Sequence, residues 1–242
     1  MAGVLARRKR GSTQGIAQIA RGPLSGGLIY AAGVLGVGRG VSDGSAYFER
    51  SDPLLHNAAQ PKGSQHGFYI GDVPPRVGTP YGQGLQFNGT RKAYTQSLVG
   101  LANGASPDES CVIVCSLGSS SGSQNILGYA NVWSTSLADY GRGVGIEGGQ
   151  LMAWGASAQN GKKITATLPT LNKHVVIGVR FAVDGALFVD GVKVASGDLS
   201  HSWGYYLSLG VALGISENLE LARLTGTIGP RAWWRRALRT RF

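Results

Sequence analysis

At 242 residues, with 43% hydrophobic and 15% charged residues, the chain can bury a sizeable core, and an all-β fold of this length often forms one domain. Its 39 glycines follow no triplet period, which excludes a collagen-like rod and points to frequent turns. The net charge of +10 is gathered at the ends: residues 1–21 and 231–242 contain no Asp or Glu, and without their ten basic residues 13 Lys and Arg face 13 Asp and Glu.

Residues 1–27 read as a basic N-terminal arm. The cluster Arg7, Arg8, Lys9, Arg10 is followed by GSTQG instead of a continuous apolar run, so no secretory leader is expected. The most apolar early stretch, LIYAAGVLGV at 28–37, is far short of the roughly 20 residues that span a bilayer. No membrane span is expected. Residues 28–83 are rich in glycine and proline, with Gln60-Pro61, Val73-Pro74-Pro75 and Thr79-Pro80 breaking any helix or central strand. They read as a loop-rich segment joining the main body, with a few strands such as Gly67 to Ile70.

From Gly84 the pattern tightens. Short apolar runs bounded by turn residues follow one another: LQF, AYTQSL, CVIVCSL, NILGYANVW, RGVGIE, QLMAWG, KITATL, HVVIGVRFA, ALFVD, VKVAS, YYLSLGVAL and LARLTGTI. That cadence predicts a two-sheet antiparallel sandwich over 84–242. Cys111 and Cys115 share one predicted strand and one face, roughly 13 Å apart, beyond disulfide reach. Asp190-Gly191 supplies the two positive-φ positions of a type I′ hairpin turn. Gly226 and Gly229 let the last strand bend or approach its neighbour closely. The best helix candidate is the short tail after Pro230.

The order HVVIGVRFAVDGALFVDGVKVASG, then LSLG, then LTGTIGPRAWWRRAL resembles the C-terminal half of laminin-G-like, concanavalin A-like jelly-roll domains. GLQFNGTRKAY at 84–94 resembles the strand that opens them. The phrase PLSGGLIYAA, from Pro23 to Ala32, is similar to the start of laminin-G-like proteins of tailed bacteriophages. The resemblance implies an all-β jelly roll with a loop-rich N-terminal arm, and a virion protein made in the host cytoplasm.

Catalytic patterns are sparse. The alternating carboxylates of jelly-roll glucanases would face one cleft about 5–5.5 Å apart. Here Asp108-Glu109 are adjacent, Glu217 and Glu220 are three apart, and Glu147 stands alone. The histidines His56, His66, His174 and His201 are scattered, and GSSSG at 118–122 lacks the strand-to-helix framing of a nucleophile elbow. A non-enzymatic protein is therefore expected. No cofactor is expected: calcium would be held by oxygens, but Asp139, Asp184 and Asp198 are too dispersed to form a set, and Asp184 and Asp190 read better as turn residues.

Two binding modes remain. In the first, a structural or adhesive component of a phage particle docks on other virion subunits through Arg7, Arg8, Lys9, Arg10, Arg235, Arg236, Arg239 and Arg241, whose guanidinium groups suit bidentate carboxylate pairs. Homo-oligomerisation is expected and nucleic-acid binding is not. In the second, a lectin-like module recognises carbohydrate, including host-surface glycan, with Trp203, Tyr205 and Tyr206 as contacts. Trp133 and Trp154 are further aromatic candidates, and most of these rings are expected to pack in the core.

Overall fold

The computed structural model describes residues 28–32, 67–70, 75–89, 92–95, 108–130, 142–155, 162–200, 210–213, 224–234 and 236–238. Among them run fifteen strands: β1 (Leu28–Ala32), β2 (Gly67–Ile70), β3 (Arg76–Thr79), β4 (Gly82–Asn88), β5 (Lys92–Thr95), β6 (Glu109–Leu117), β7 (Gln124–Ala130), β8 (Gly143–Glu147), β9 (Gln150–Trp154), β10 (Lys163–Thr167), β11 (His174–Phe181), β12 (Gly185–Val189), β13 (Val192–Gly197), β14 (Gly210–Leu213) and β15 (Thr225–Trp234). Each of the twelve runs read from the sequence after Gly84 overlaps one of β4 to β15. The described residues include no helix.

The strands form two antiparallel sheets packed face to face as a jelly-roll-like sandwich. One has the order β13-β12-β11-β6-β15-β4-β3, with β1 beside β15; the other has the order β10-β9-β8-β7-β14-β5-β2. The alternation that the sequence carries decides which side chains meet between them. In β11, Val175, Ile177, Val179 and Phe181 point inward, opposite Cys115, Ile113, Cys111 and Glu109 of β6. The second sheet answers with Leu127, Val144, Ile146, Leu151, Ala153 and Ile164. Burying each large apolar side chain contributes about 1.5–3 kcal/mol, and this shared layer holds the sheets together.

Both cysteines are free and buried as small apolar groups. Burial pushes the Cys115 thiol up to about 12. Burial first, and the nearby Glu109 charge second, push Cys111 higher still. The hairpin reads as expected, with Asp190 at φ 50° and Gly191 at φ 83°. Asp190 Oδ1 accepts a 2.8 Å hydrogen bond from the Val176 amide, which ties the turn to β11.

The segment after Pro230 departs from the helical expectation. β15 runs through it to Trp234, and its register against β6 shifts between Ile228 and Arg231, where Gly229 and Pro230 oppose the single residue Val114. Proline lacks an amide hydrogen and is tolerated inside a sheet at such a bulge. Here the bulge coincides with a change of neighbour on the far edge: β4 pairs with residues 225–228, and β1 pairs with 231–234. The extra residue also flips the parity, so that Trp233 joins Ile228 in the core.

Candidate functional site

The topology brings chemistry to one end of the sandwich. There β7, β9, β11, β13 and β15 finish and β6, β8, β10, β12 and β14 begin, as their registers show. The segments 131–141, 156–161 and 201–209 join strands at this end, and their residues lie outside those described.

At the base of this end sits a buried polar cluster that spans the two sheets. Arg142, immediately before β8, is fully buried, and its Nη1 lies 3.1 Å from Oε2 of Glu109 at the start of β6. The same carboxylate oxygen accepts a 3.1 Å hydrogen bond from Trp233 Nε1. The Trp233 ring stacks on Phe181 at 5.2 Å between centroids, and the Arg142 guanidinium lies over the Phe181 ring at 5.7 Å. A buried cation of this kind requires its carboxylate, because desolvating either charge alone costs several kcal/mol. Sequence reasoning missed this cluster. The one trace of it is a carboxylate opening an otherwise apolar strand, ESCVIVCSL.

Beside the cluster, Trp154 ends β9 on the face of its sheet away from the core. Its ring carbons lie where side chains on Gly143 and Gly145 of β8 would project, 2.2 and 3.3 Å from the two ideal Cβ positions. Glycine at both positions lets the indole lie flat on the strand. Trp154 is 3% exposed, and its Nε1–H has no hydrogen-bond partner among the described residues. It is thus a packed aromatic, as expected for most of the tryptophans.

A second polar group lies at the exit of β13. Lys162 Nζ contacts Asp198 Oδ2 at 3.2 Å and donates to Ser200 Oγ at 2.8 Å. The Ser200 hydroxyl and amide both donate to Asp198 Oδ1, at 2.6 and 2.8 Å. The hydroxyl bond is the largest cause holding the Asp198 carboxyl below its ordinary range, followed by the Ser200 amide; burial opposes them, and Lys162 adds to them.

The outer face of the β11–β12–β13 corner holds a recess of about 310 Å³, lined by Arg180, Asp184, Gly185, Ala186, Lys193, Ser196 and Gly197. Arg180 Nη2 pairs with Asp184 Oδ2 at 2.8 Å and, with Nε, also donates to the Asp184 carbonyl. Asp184 and Asp198 therefore belong to separate ion pairs, and no group of three or more His, Cys, Asp or Glu is placed to hold a metal ion among the described residues. Glu147 is half exposed, 3.6 Å from Lys163 Nζ.

Of the residues expected to dock partners, Arg236 is described and exposed. Arg7, Arg8, Lys9, Arg10, Arg235, Arg239 and Arg241 lie outside the described residues, as do Trp203, Tyr205 and Tyr206. Arg231, counted from the sequence with the basic tail, is instead buried, and its Nη1 donates to the Gly229 carbonyl at 3.1 Å.

No protein-family model matches the chain, and no curated protein does. Solved structures share its fold. A Trypanosoma rangeli sialidase in complex with the inhibitor DANA is 15% identical, with 97% of this chain and 36% of that one covered at a TM-score of 0.60. Domain 4 of a GH43 extracellular arabinanase from Geobacillus stearothermophilus, in complex with arabinotriose, is 13% identical, with 70% of this chain and 78% of that one covered at a TM-score of 0.54. The receptor binding domain of botulinum neurotoxin mosaic serotype C/D is 12% identical, with 88% and 48% covered at a TM-score of 0.58. The chain spans about a third of the length of the sialidases, 31–36%.

These matches correct one expectation. The sequence reading of a non-enzymatic protein does not stand, because the sandwich matches structures of sialidases and of a domain from an arabinanase, which are enzymes. At 12–15% identity the likeness carries the fold alone and assigns no catalytic residue.

Proposed function

We propose that the chain is a lectin-like carbohydrate-binding domain whose ligand site is the end of the sandwich above Arg142. The observation that carries this reading is topological. The strands that flank 131–141 and 201–209 end and begin at this end, and the sequences of those segments contain Trp133, Tyr140, Trp203, Tyr205 and Tyr206. Sugars bind through aromatic faces flanked by a few fixed polar groups, and the Lys162–Asp198–Ser200 group stands at the entry to 201–209. The buried Glu109–Arg142 pair joins the sheets beneath this end and gives it a rigid base. The arabinotriose bound to the matched arabinanase domain supports a sugar as the ligand class.

The test is a glycan array followed by calorimetry on the full chain. Saturable binding of at least one glycan, weakened about tenfold (about 1.4 kcal/mol) or more by Trp203→Ala or Tyr206→Ala, is the expected result. No binding across neutral and charged glycans, or binding indifferent to both substitutions, would overturn it.

A second reading is favoured by the gathering of charge at the chain's ends. Under it the domain is a repeated component of a bacteriophage particle, made in the host cytoplasm and anchored to acidic neighbours by its basic ends. The two readings compete for one end of the sandwich, since β1 begins at Leu28 opposite Trp234, where β15 finishes, at the same end as the proposed glycan site. Removing residues 1–21 is expected to abolish incorporation into particles while leaving the circular dichroism spectrum unchanged. Normal incorporation would end the anchoring role.

A further inference from the structure

We infer that the recess at the β11–β12–β13 corner is a subsite for an acidic sugar, one bearing a carboxylate or a sulfate. The inference rests on the carbohydrate-binding reading and names the ligand class that this part of the surface selects.

The recess is made by register. Arg180, Ala186 and Ser196 stand opposite one another on three adjacent strands, so their side chains share the outer face. Lys193 lies three residues before Ser196 and in a regular strand would point to the opposite face. It does not, because the pairing of β12 with β13 shifts between Leu187 and Phe188: Leu187 faces Ala195 and Phe188 faces Lys193. The extra residue, Val194, is absorbed in a bulge, and Lys193 and Ser196 are brought to one side. Ala186 carries only a methyl group on this face, so the floor between the polar walls is open. A volume of about 310 Å³ lies at the lower end of small-ligand sites, suited to a single sugar ring.

The charge of the walls sets the preference. Arg180 is committed to Asp184 by an ion pair and by its bonds to the Asp184 carbonyl, which together neutralise that wall. Lys193 is exposed and forms no ion pair among the described residues. The recess therefore keeps one uncompensated positive charge. The Ser196 hydroxyl shares its face, and the Arg180 guanidinium lies at its rim. A neutral sugar leaves that ammonium without a counter-charge, whereas a carboxylate or sulfate on the ring supplies one and accepts from both Lys193 and Ser196.

The experiment uses the full chain and three matched probes: an oligogalacturonate, its methyl ester, and a sulfated galactan oligosaccharide of the same length. Calorimetry is run at low and physiological salt. The expected result is binding of an acidic probe at least tenfold tighter than the ester, a margin lost in Lys193→Gln and kept in Lys193→Arg. Ser196→Ala, a smaller change on the same wall, is expected to reduce the margin. Preference for oligogalacturonate or for the sulfated probe tells which acidic group is taken, and either supports the subsite. A margin that persists unchanged in Lys193→Gln would place the attraction in the basic ends and overturn the subsite. So would equal binding of ester and acid, which leaves the carbohydrate-binding reading intact. Failure of all three probes here, and of every glycan on the array, removes both.

Discussion

Glu109 carries a charge into the core because Arg142 meets it there from the opposite sheet. Two partners on one oxygen, Arg142 Nη1 and Trp233 Nε1, fix the rotamers of three side chains at once. Replacing it by Gln keeps the shape and removes the charge, leaving the Arg142 cation buried without its counter-ion. Glu109→Gln is therefore expected to cost about 3–5 kcal/mol, read as a lower urea midpoint at unchanged slope. Replacing Glu109 and Arg142 together by methionine is expected to recover most of that loss. Asp198 makes the contrasting case, since it is exposed and its strongest partner, Ser200, lies two residues along the chain. Its folded-state pKa is lowered, so its contribution is complete above the ordinary value of 3.8 and is lost as pH falls through the lowered value. An NMR titration of the Asp198 carboxyl is expected to give an inflection below 3.8, and Ser200→Ala to move it upward, because the Ser200 hydroxyl is its largest stabiliser. The acidity of Asp198 is partly legible in the sequence, as a carboxylate two residues before a serine. The role of Glu109 is not, since its partner lies on another sheet and no local spacing announces it.

The elements divide in the same way between local and distant causes. The Asp190-Gly191 hairpin and the alternating run HVVIGVRF were legible because turn chemistry and two-residue periodicity act over a few positions. The bulges in β13 and β15 were not, because each answers to a partner strand elsewhere in the chain. The same holds for LIYAA and RVGT, which look like loop between prolines and become strands where β15 and β4 offer an edge. Gly226 shows how tightly those long-range pairings are fitted. It sits at φ 150°, and a Cβ there would lie 2.1 Å from the Ser116 carbonyl oxygen of β6. The nearest atoms, from Ser116 and Gly118, are all backbone and leave nothing to yield, so Gly226→Ala is expected to destabilise at the upper end of about 1–3 kcal/mol. Gly78→Ala, with nothing within 4 Å of its Cβ, is the internal control and is expected to change the thermal midpoint little.

For the molecule as a whole, the sandwich was legible from the cadence of runs, but the division of those runs between sheets was not. Successive strands pass between the sheets: β4 lies in one, β5 in the other, β6 in the first, β7 to β10 in the second, β11 to β13 in the first, β14 in the second and β15 in the first. No local pattern distinguishes a strand of one sheet from a strand of the other, because both bury one face in the same core. The consequence is a fold closed by its last strand. β15 pairs with β6 along one edge and with β4 and β1 along the other, so it joins the halves of its sheet, and it delivers Ile228 and Trp233 to the shared core. A chain ending at residue 224 would leave the β6 edge open, expose Phe181 where Trp233 stacks, and leave the Glu109 carboxylate without its indole donor. Such a truncation is expected to abolish the cooperative urea transition entirely, whereas a chain ending at 238 keeps β15 and is expected to unfold within about 1 kcal/mol of the full chain. Retention of a cooperative transition in the shorter chain would show that the β13-β12-β11-β6 half and the second sheet form a stable core without the strand that joins them to β4 and β1.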